Sequence, residues 1–148
     1  MSDLVKKISS FAAKHPGITL AFLFGSVASG RDHSNSDVEF TYEQSKLIAL
    51  MVSEAKINMN FAPVVDLDLN DENLIIYLKE RCFSTEPDVV VRHAEAYVKG
   101  HEEFFVLPAL KHFPGHGSSF GDTHLGFTDV TETWREEELI PYQKMIDN

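Results

Sequence analysis

Lys111 and His112 follow the apolar run 104–110 (FFVLPAL), which has the composition of a buried strand. Enzymes of the α/β class place their chemistry at the carboxyl ends of such strands, and a cation beside an imidazole suits the hydroxyls of a polar ligand. Asp122 and His124 come later, with one residue between them. An Asp can orient a nearby imidazole and stabilise its protonated form. The second pair therefore has the residue types of a proton shuttle for a leaving oxygen.

The segments around these residues predict alternating strands and helices. Strands are predicted at 57–65 (INMNFAPVV) and 104–110, and residues 111–129 form a predicted loop because they are rich in Gly, His and Ser. Pro87 stands where a first helical residue is expected, and the apolar face of that helix comprises Val90, Ala94, Tyr97 and Val98. The alternation predicts an α/β fold with parallel pairing.

The last helix is predicted from a capping pattern. Thr133 with Glu136 resembles a capping box that opens this helix, and Pro141 then interrupts it. The acidic run that ends at Glu138 is predicted to be a solvated helix start that favours the helix dipole.

Two side chains of the helix that starts at Pro87 are predicted to face solvent, namely His93 and His101.

Residues 111–117 (KHFPGHG), followed by GDTH at 121–124, resemble the acid/base loop of glycoside hydrolase family 3, in its β-N-acetylglucosaminidase branch. Three more segments fit the same family, namely 57–70 (INMNFAPVVDLDLN), 80–87 (ERCFSTEP) and 133–146 (TWREEELIPYQKMI). Several ordered motifs are more specific than one short pattern. The resemblance covers about residues 47–146 and implies a partial (β/α) barrel with parallel strands.

The resemblance implies a role for each candidate residue. It makes His124 the general acid/base, tuned by Asp122, and it makes Asp66 a structural support. The side chains that it assigns to the sugar hydroxyls are Arg81, Lys111 and His112. The implied reaction is retaining hydrolysis of glycans that contain N-acetylglucosamine, in which a carboxylate attacks the anomeric carbon while an acid protonates the leaving oxygen. The implied site uses no metal and no cofactor, and its ligand is a small carbohydrate.

The same resemblance implies that the barrel is incomplete. The nucleophilic Asp of the family is expected well downstream of the GDTH segment, past Asn148, and the family's Asp-x-Glu-Gly-Gly segment is not found before residue 57. A closed eight-stranded barrel takes about 250 residues, so we expect a glycosidase or a truncated remnant of one. Two or three strands would leave their edges exposed, which predicts a homo-oligomer formed through those edges.

A second group of candidate site residues lies nearer the N-terminus. Gly25 and Ser26 follow an apolar run, and ten residues separate them from Asp37 and Glu39. Backbone amides and a hydroxyl at such a turn can hold a nucleotide phosphate, and carboxylates at alternate positions of a strand can share Mg²⁺. The stretch 22–40 resembles the minimal nucleotidyltransferases of the DNA polymerase β superfamily. That resemblance implies a magnesium-dependent enzyme that uses a nucleotide triphosphate.

The two resemblances predict a chain of two parts. Residues 1–46 would be a nucleotidyltransferase-like α/β fragment with strands at 18–24 and 38–42, and residues 47–148 would be the family 3-like partial barrel. A non-catalytic chimeric α/β scaffold is a third alternative. A zinc cluster is a further alternative, since His and Asp both bind zinc, and its ligands would be His112, His116, Asp122 and His124.

The composition of the chain indicates which kinds of binding partner and which cellular location to expect. Thirteen basic against 23 acidic side chains give a net charge of −10, which disfavours binding to nucleic-acid phosphates. The single cysteine, Cys82, excludes an internal disulfide. Residues 1–17 lack the apolar core of a signal peptide, and no run of eighteen apolar residues suggests a membrane span. We therefore predict a cytoplasmic protein without membrane contact.

Overall fold

The computed structural model of the chain describes residues 35–147. Its elements in chain order are helix α1 (Asn35–Glu54), strand β1 (Met59–Asn60), helix α2 (Pro87–Glu102), strand β2 (Leu107–Pro108), a 3₁₀ helix (Glu136–Leu139) and helix α3 (Ile140–Asp147). None of these helices is long and apolar enough to span a membrane. The strand predicted at 18–24 and the turn at Gly25 and Ser26 lie outside the described residues.

β1 and β2 pair in parallel, with Met59 opposite Leu107. Further along the same two segments, Val64 bridges Lys111, again in the parallel sense. The regular strands are shorter than the predicted runs, because proline residues such as Pro108 have no N–H for the ladder. The pairing nevertheless carries the residues that follow both strands to the same end of the sheet.

Helix α2 packs against the segment that follows β1. It begins at Pro87, as predicted, because a first helical residue needs no partner for its N–H. Val90 and Ala94 are fully buried and share a core with Val65 and Leu67. Burying one valine side chain contributes about 1.5–3 kcal/mol. This apolar contact therefore fixes the helix against the strand end where the polar candidates lie.

Helix α1 shows that the strand predicted at 38–42 is wrong. Its buried stripe consists of Thr41, Ser45 and Ala49, whose spacing of four residues is that of one helix face, and it packs against α2. Two of these three residues are polar, so the apolar periodicity that marks a helix was weak there. The predicted boundary between residues 46 and 47 falls within α1, and the division of the chain into two parts stays a prediction.

The helical course of α1 removes the geometric basis of the predicted Mg²⁺ site. Asp37 and Glu39 are two positions apart on a helix, so a rotation of about 200° around the helix axis separates them and their side chains point to nearly opposite sides. They therefore do not converge on one ion. Within residues 35–147, no three His, Cys, Asp or Glu side chains are placed to share a metal ion. The four residues of the zinc alternative accordingly do not form one site.

His93 and His101 on α2 are fully buried, so the prediction that they face solvent is wrong. Thr41 Oγ1 lies 2.7 Å from His93 Nδ1, and Ser45 Oγ lies 2.7 Å from His101 Nδ1. On the other side of His101, Asn60 Nδ2 lies 3.0 Å from Nε2. Buried imidazoles need hydrogen-bond partners. Here the partners are hydroxyl groups of α1, which are 52 and 56 positions away from the two histidines in the chain. The local sequence pattern of α2 therefore could not predict these hydrogen bonds.

The C-terminal elements begin two residues later than the capping pattern predicted. The residue before the 3₁₀ helix is Arg135, not Thr133, and its N–H donates to the Glu138 carboxylate at 3.3 Å. Helix α3 begins at Ile140, so Pro141 lies in its first turn, where a missing N–H costs nothing. Pro141 therefore belongs to the start of this helix and does not interrupt it, contrary to the prediction.

Candidate active site

The two segments that follow the paired strands meet at Asp66 and His112. Val65 N donates to Lys111 O at 2.8 Å, which places the next residue of each segment side by side. The Asp66 side chain is buried, and its Oδ2 lies 2.6 Å from His112 Nδ1. Its Oδ1 accepts from the N–H groups of His112 at 3.2 Å and His116 at 2.9 Å. One buried carboxylate therefore fixes both the imidazole and the backbone of its loop.

Arg81 contacts the other ring nitrogen of His112. Because an ionised Asp66 can only accept, His112 Nδ1 carries the proton of that hydrogen bond. His112 Nε2 then presents a lone pair, to which Arg81 Nη2 donates at 3.2 Å. Arg81 Nη1 also donates to the backbone oxygen of Ile75 at 3.4 Å. The connected contacts Asp66–His112–Arg81 thus hold His112 in one tautomer, with an acceptor facing Arg81.

Lys111 lies beside these contacts with a half-buried side chain. Burial lowers the pKa of its amine, the positive charge of Arg81 lowers it further, and the Asp66 carboxylate acts in the opposite direction. Two cations and one anion therefore occupy the carboxyl end of the sheet. A ligand rich in hydroxyls offers oxygen acceptors to both cations. The structure brings Arg81, Lys111 and His112 together in an arrangement suited to such a ligand.

Asp122 and His124 form a separate pair on an exposed loop. His124 Nδ1 lies 2.7 Å from Asp122 Oδ1, and the same oxygen accepts from the His124 N–H at 2.8 Å. The backbone N–H of His124 holds the pKa of Asp122 below its usual range, with a smaller contribution from the His124 side chain. The His124 side chain is 75% exposed. Since Nδ1 is occupied by Asp122, Nε2 is the nitrogen left for proton transfer.

The exposed pair makes no described contact with the connected residues Asp66, His112 and Arg81. In the part of the chain that the structure describes, no hydrogen bond or ion pair joins Asp122 or His124 to Asp66, His112 or Arg81. The charge of Lys79 contributes weakly to the lowered pKa of Asp122, and Lys79 is two residues from Arg81. The loop that carries Asp122 and His124 therefore lies near Lys79, which is two residues before Arg81 in the chain.

A family model described as "Glycosyl hydrolase family 3 N terminal domain" matches residues 27–148. This chain belongs to glycosyl hydrolase family 3. The family match includes all five residues that the sequence analysis assigned to the sugar site. It also begins before residue 47, and so extends into the segment that had been predicted to resemble a nucleotidyltransferase.

The relatives of this family 3 chain include proteins named beta-hexosaminidases. The one from Xylella fastidiosa (strain M12) is 39% identical over 108 residues, which cover 71% of this chain and 31% of that protein. Beta-hexosaminidase LpqI of Mycobacterium tuberculosis (strain ATCC 25618 / H37Rv) is 40% identical over 93 residues, which cover 61% of this chain and 23% of that protein. The chain thus spans a third or less of the length of these curated relatives.

Solved structures of the same family resemble the described fold. The structure of native NagZ from Neisseria gonorrhoeae superposes with a TM-score of 0.69 at 28% identity, over 80% of this chain and 35% of that one. The structure of LpqI from M. tuberculosis gives a TM-score of 0.64 at 31% identity, over 82% of this chain and 34% of that one. The strand-and-helix arrangement is therefore that of part of a family 3 N-terminal domain.

Two buried side chains whose contacts were not predicted from the sequence hold the family 3 loop after His112. Asn73 is fully buried, and its Nδ2 donates to the His116 carbonyl at 2.7 Å. Glu138 is 1% exposed, and its Oε2 accepts from the Gly117 N–H at 2.8 Å. The prediction that Glu138 is solvated is therefore wrong. Its neighbours in the acidic run remain partly or fully exposed, so only one of the three acids turns inward.

Proposed function

We propose that this chain is the sugar-binding and acid/base part of a retaining β-N-acetylhexosaminidase that acts on glycans containing N-acetylglucosamine. The observation that carries the proposal is the contact of His112 with both Asp66 and Arg81 at the carboxyl end of the paired strands. Membership of family 3 and the names of the beta-hexosaminidases that resemble the chain support the same substrate class.

Arg81, Lys111 and His112 are proposed to bind the sugar hydroxyls. The two cations donate hydrogen bonds, and the His112 ring, whose side chain is 30% exposed, accepts through Nε2. A sugar hydroxyl both donates and accepts, so one hydroxyl that inserts between Arg81 Nη2 and His112 Nε2 would accept from the first and donate to the second, in place of their direct contact. Asp66 would support this arrangement without touching the sugar, because its side chain is buried and accepts from three N–H groups of the protein.

His124 is proposed to move the proton. Its imidazolium gives the Nε2 proton to the glycosidic oxygen as the bond to the anomeric carbon breaks, and Asp122 stabilises the charged ring beforehand. A carboxylate attacks the anomeric carbon to form a glycosyl-enzyme, and water then displaces the carboxylate while His124 takes up the water proton. That attacking Asp is expected downstream of the GDTH segment. No metal or cofactor takes part in the proposed steps.

Titration with N-acetylglucosamine tests the sugar site directly. We expect saturable binding by calorimetry, weakened about tenfold or more in His112→Ala and Arg81→Ala, because a hydrogen bond to a charged group contributes about 1.5–3 kcal/mol. Lys99→Ala is the matched control, since Lys99 is an exposed cation in the last turn of α2. Wild-type protein that folds cooperatively but shows no binding would contradict the proposal and favour a non-catalytic scaffold.

Hydrolysis of a chromogenic N-acetylglucosaminide separates an enzyme from a sugar-binding part of one. If the attacking carboxylate lies outside these 148 residues, we expect binding without sustained turnover. Turnover that disappears in His124→Ala would instead show that the chain supplies its own nucleophile, and would refute the assignment of that group to a downstream segment. Turnover that persists in His124→Ala would contradict the role of His124 as acid/base.

A further inference from the structure

Glu138 is a buried carboxylate that no cation neutralises within residues 35–147. The guanidinium of Arg135 pairs with Glu137 at 3.4 Å instead. Glu138 accepts from the Gly117 N–H at 2.8 Å, from the Ser118 hydroxyl at 2.5 Å and from the Arg135 N–H at 3.3 Å. Burying an unpaired charge costs several kcal/mol, so these donors are needed to keep the carboxylate in place. Two of the three belong to the loop after His112.

The loop is packed closely between Glu138 and the segment after β1. Gly115 has a φ of +127°, and a Cβ built there would lie 2.5 Å from Glu138 Cβ. A Cβ built on Gly117 would lie 1.8 Å from the backbone oxygen of Leu67. Both positions therefore require glycine. Because the loop is in close contact on both sides, a displacement of Glu138 would be transmitted to the loop residues beside it.

The neighbouring residue in this loop is one that Asp66 binds. The His116 N–H donates to Asp66 Oδ1 at 2.9 Å, and the His112 ring bonds to Oδ2 of the same carboxylate at 2.6 Å. Gly117, the next residue after His116, is the one that donates to Glu138. A displacement of Gly117 would therefore pull His116 away from Asp66 and release the carboxylate that orients His112.

We propose that Glu138 is a positioning residue, which holds the turn at residues 115–118 so that Asp66 can fix the His112 ring. Its effect on sugar affinity rests on the proposed function, because it acts through His112. Its effect on the hydrogen bond between His112 and Asp66 does not, because that bond is present without a sugar. The change in sugar affinity and the change in the hydrogen bond between His112 and Asp66 are therefore measured separately in one pair of variants.

The test compares Glu138→Gln with Glu137→Gln. Both changes replace a carboxylate by an amide, but the Glu137 side chain is 43% exposed and, among residues 35–147, bonds only to Arg135. We expect Glu138→Gln to shift or broaden the His112 Nδ1 proton and nitrogen signals in NMR spectra and to weaken N-acetylglucosamine binding about tenfold. Glu137→Gln should leave both unchanged. A folded Glu138→Gln protein with wild-type His112 signals would overturn the inference.

Two further variants separate positioning from a general loss of stability. Ala49→Gly removes a buried methyl group where α1 packs against α2, and it should lower the Tm without changing the His112 signals. Ser118→Ala removes one loop donor to Glu138 and should shift the same His112 signals by a smaller amount. It replaces Glu138→Gln as the test variant if Glu138→Gln does not fold. Unchanged His112 signals in folded Ser118→Ala would count against the inference. Absence of sugar binding by the wild type would refute the proposed function, while the His112 signals would still decide the role of Glu138.

Discussion

Asp66 Oδ2 lies 2.6 Å from His112 Nδ1, although the two residues are 46 positions apart in the chain. The contact depends on the parallel register of the two segments, since Val65 and Lys111 are hydrogen-bonded immediately before them. Oδ1 of the same carboxylate accepts two backbone N–H groups. Asp66 therefore connects the sheet, the loop and the ring of a proposed sugar-binding residue.

Replacing Asp66 by Asn should disturb His112 more than it disturbs the fold. The amide oxygen of Asn can still accept the two backbone N–H groups that Asp66 Oδ1 accepts. The amide NH₂ group, in the place of Oδ2, cannot accept the proton of His112 Nδ1. The ring must lose that bond or change tautomer, and a proton on Nε2 would then face Arg81 Nη2. We expect the affinity for N-acetylglucosamine, measured by calorimetry, to fall about tenfold or more.

The control for Asp66→Asn is Asp71→Asn, because Asp71 is exposed. It makes the same chemical change at the surface and should leave both affinity and Tm near the wild-type values. If Asp66→Asn bound the sugar as tightly as the wild type, the orienting role of Asp66 would be wrong, whatever its effect on Tm.

The sequence could predict the residues that lie at strand ends but not the buried polar contacts. Lys111 and His112 directly follow an apolar run, so their place at the carboxyl end of a strand was readable from local pattern. His101 and Glu138 were predicted to face solvent and are buried. Their partners come from other elements, such as Ser45 for His101, and local periodicity carries no information about them.

The error at α1 has the same physical origin. Thr41 and Ser45 form the buried stripe of this helix together with Ala49, and their hydroxyls bond to imidazoles of α2. A buried stripe made of small polar residues looks like a surface to any argument based on hydrophobicity. The prediction for the start of the last helix was wrong by only two residues, because the capping glutamate is Glu138 and not Glu136.

His101 should make stability depend on pH below neutrality. Burial lowers its pKa from the ordinary value of 6.5, and the Tyr97 backbone carbonyl opposes this effect weakly. Ser45 Oγ donates to the Tyr97 carbonyl at 2.5 Å, so it accepts from His101 Nδ1. His101 Nε2 then accepts from Asn60 Nδ2 at 3.0 Å. A second proton on the ring would face that amide donor, so the folded state favours neutral His101.

The sign of the effect follows from which state binds the proton first. As the pH falls below about 6.5, the unfolded chain takes up the proton before the folded chain does. Stability is therefore fully present above pH 6.5 and is lost as the pH falls towards the lowered pKa of folded His101. The slope contributed by this one group is at most about 1.4 kcal/mol per pH unit. Urea unfolding at a series of pH values measures it.

His101→Gln is the variant that isolates this contribution. Glutamine can still offer an amide to Ser45 or Asn60 but does not titrate. The unfolding free energy of the variant should be lower at pH 7.5 and should change less between pH 7 and pH 5. Asp122 and Asp88 have lowered pKa values because of hydrogen bonds from His124 and Lys144 respectively, so their contributions are lost only below about pH 4. Equal slopes in variant and wild type would exclude His101 as the source.

Self-association is expected where the short parallel sheet exposes apolar side chains. Phe61 is 70% exposed, Leu107 is 62% exposed and Met59 is 45% exposed. Exposed strand edges and apolar patches favour pairing with another chain, and a lysine on such a strand opposes it. Leu107→Lys should therefore shift the protein towards monomer in light scattering. Leu125→Lys, at an 85% exposed loop position, should not. Wild-type protein that stays monomeric at all concentrations would contradict the predicted homo-oligomer.

Gly117 should tolerate no side chain, whereas Gly126 should accept one. A Cβ on Gly117 would lie 1.8 Å from the Leu67 carbonyl oxygen, and no described atom lies within 4 Å of the corresponding position on Gly126. Overpacking costs about 1–3 kcal/mol and sometimes more, so Gly117→Ala should lower the unfolding free energy by at least that amount. Gly126→Ala should change it by no more than about 0.5 kcal/mol. Urea unfolding compares the two variants. Equal stability would show that the loop can move away from Leu67, and the close packing that transmits the contacts of Glu138 to His112 would then be absent.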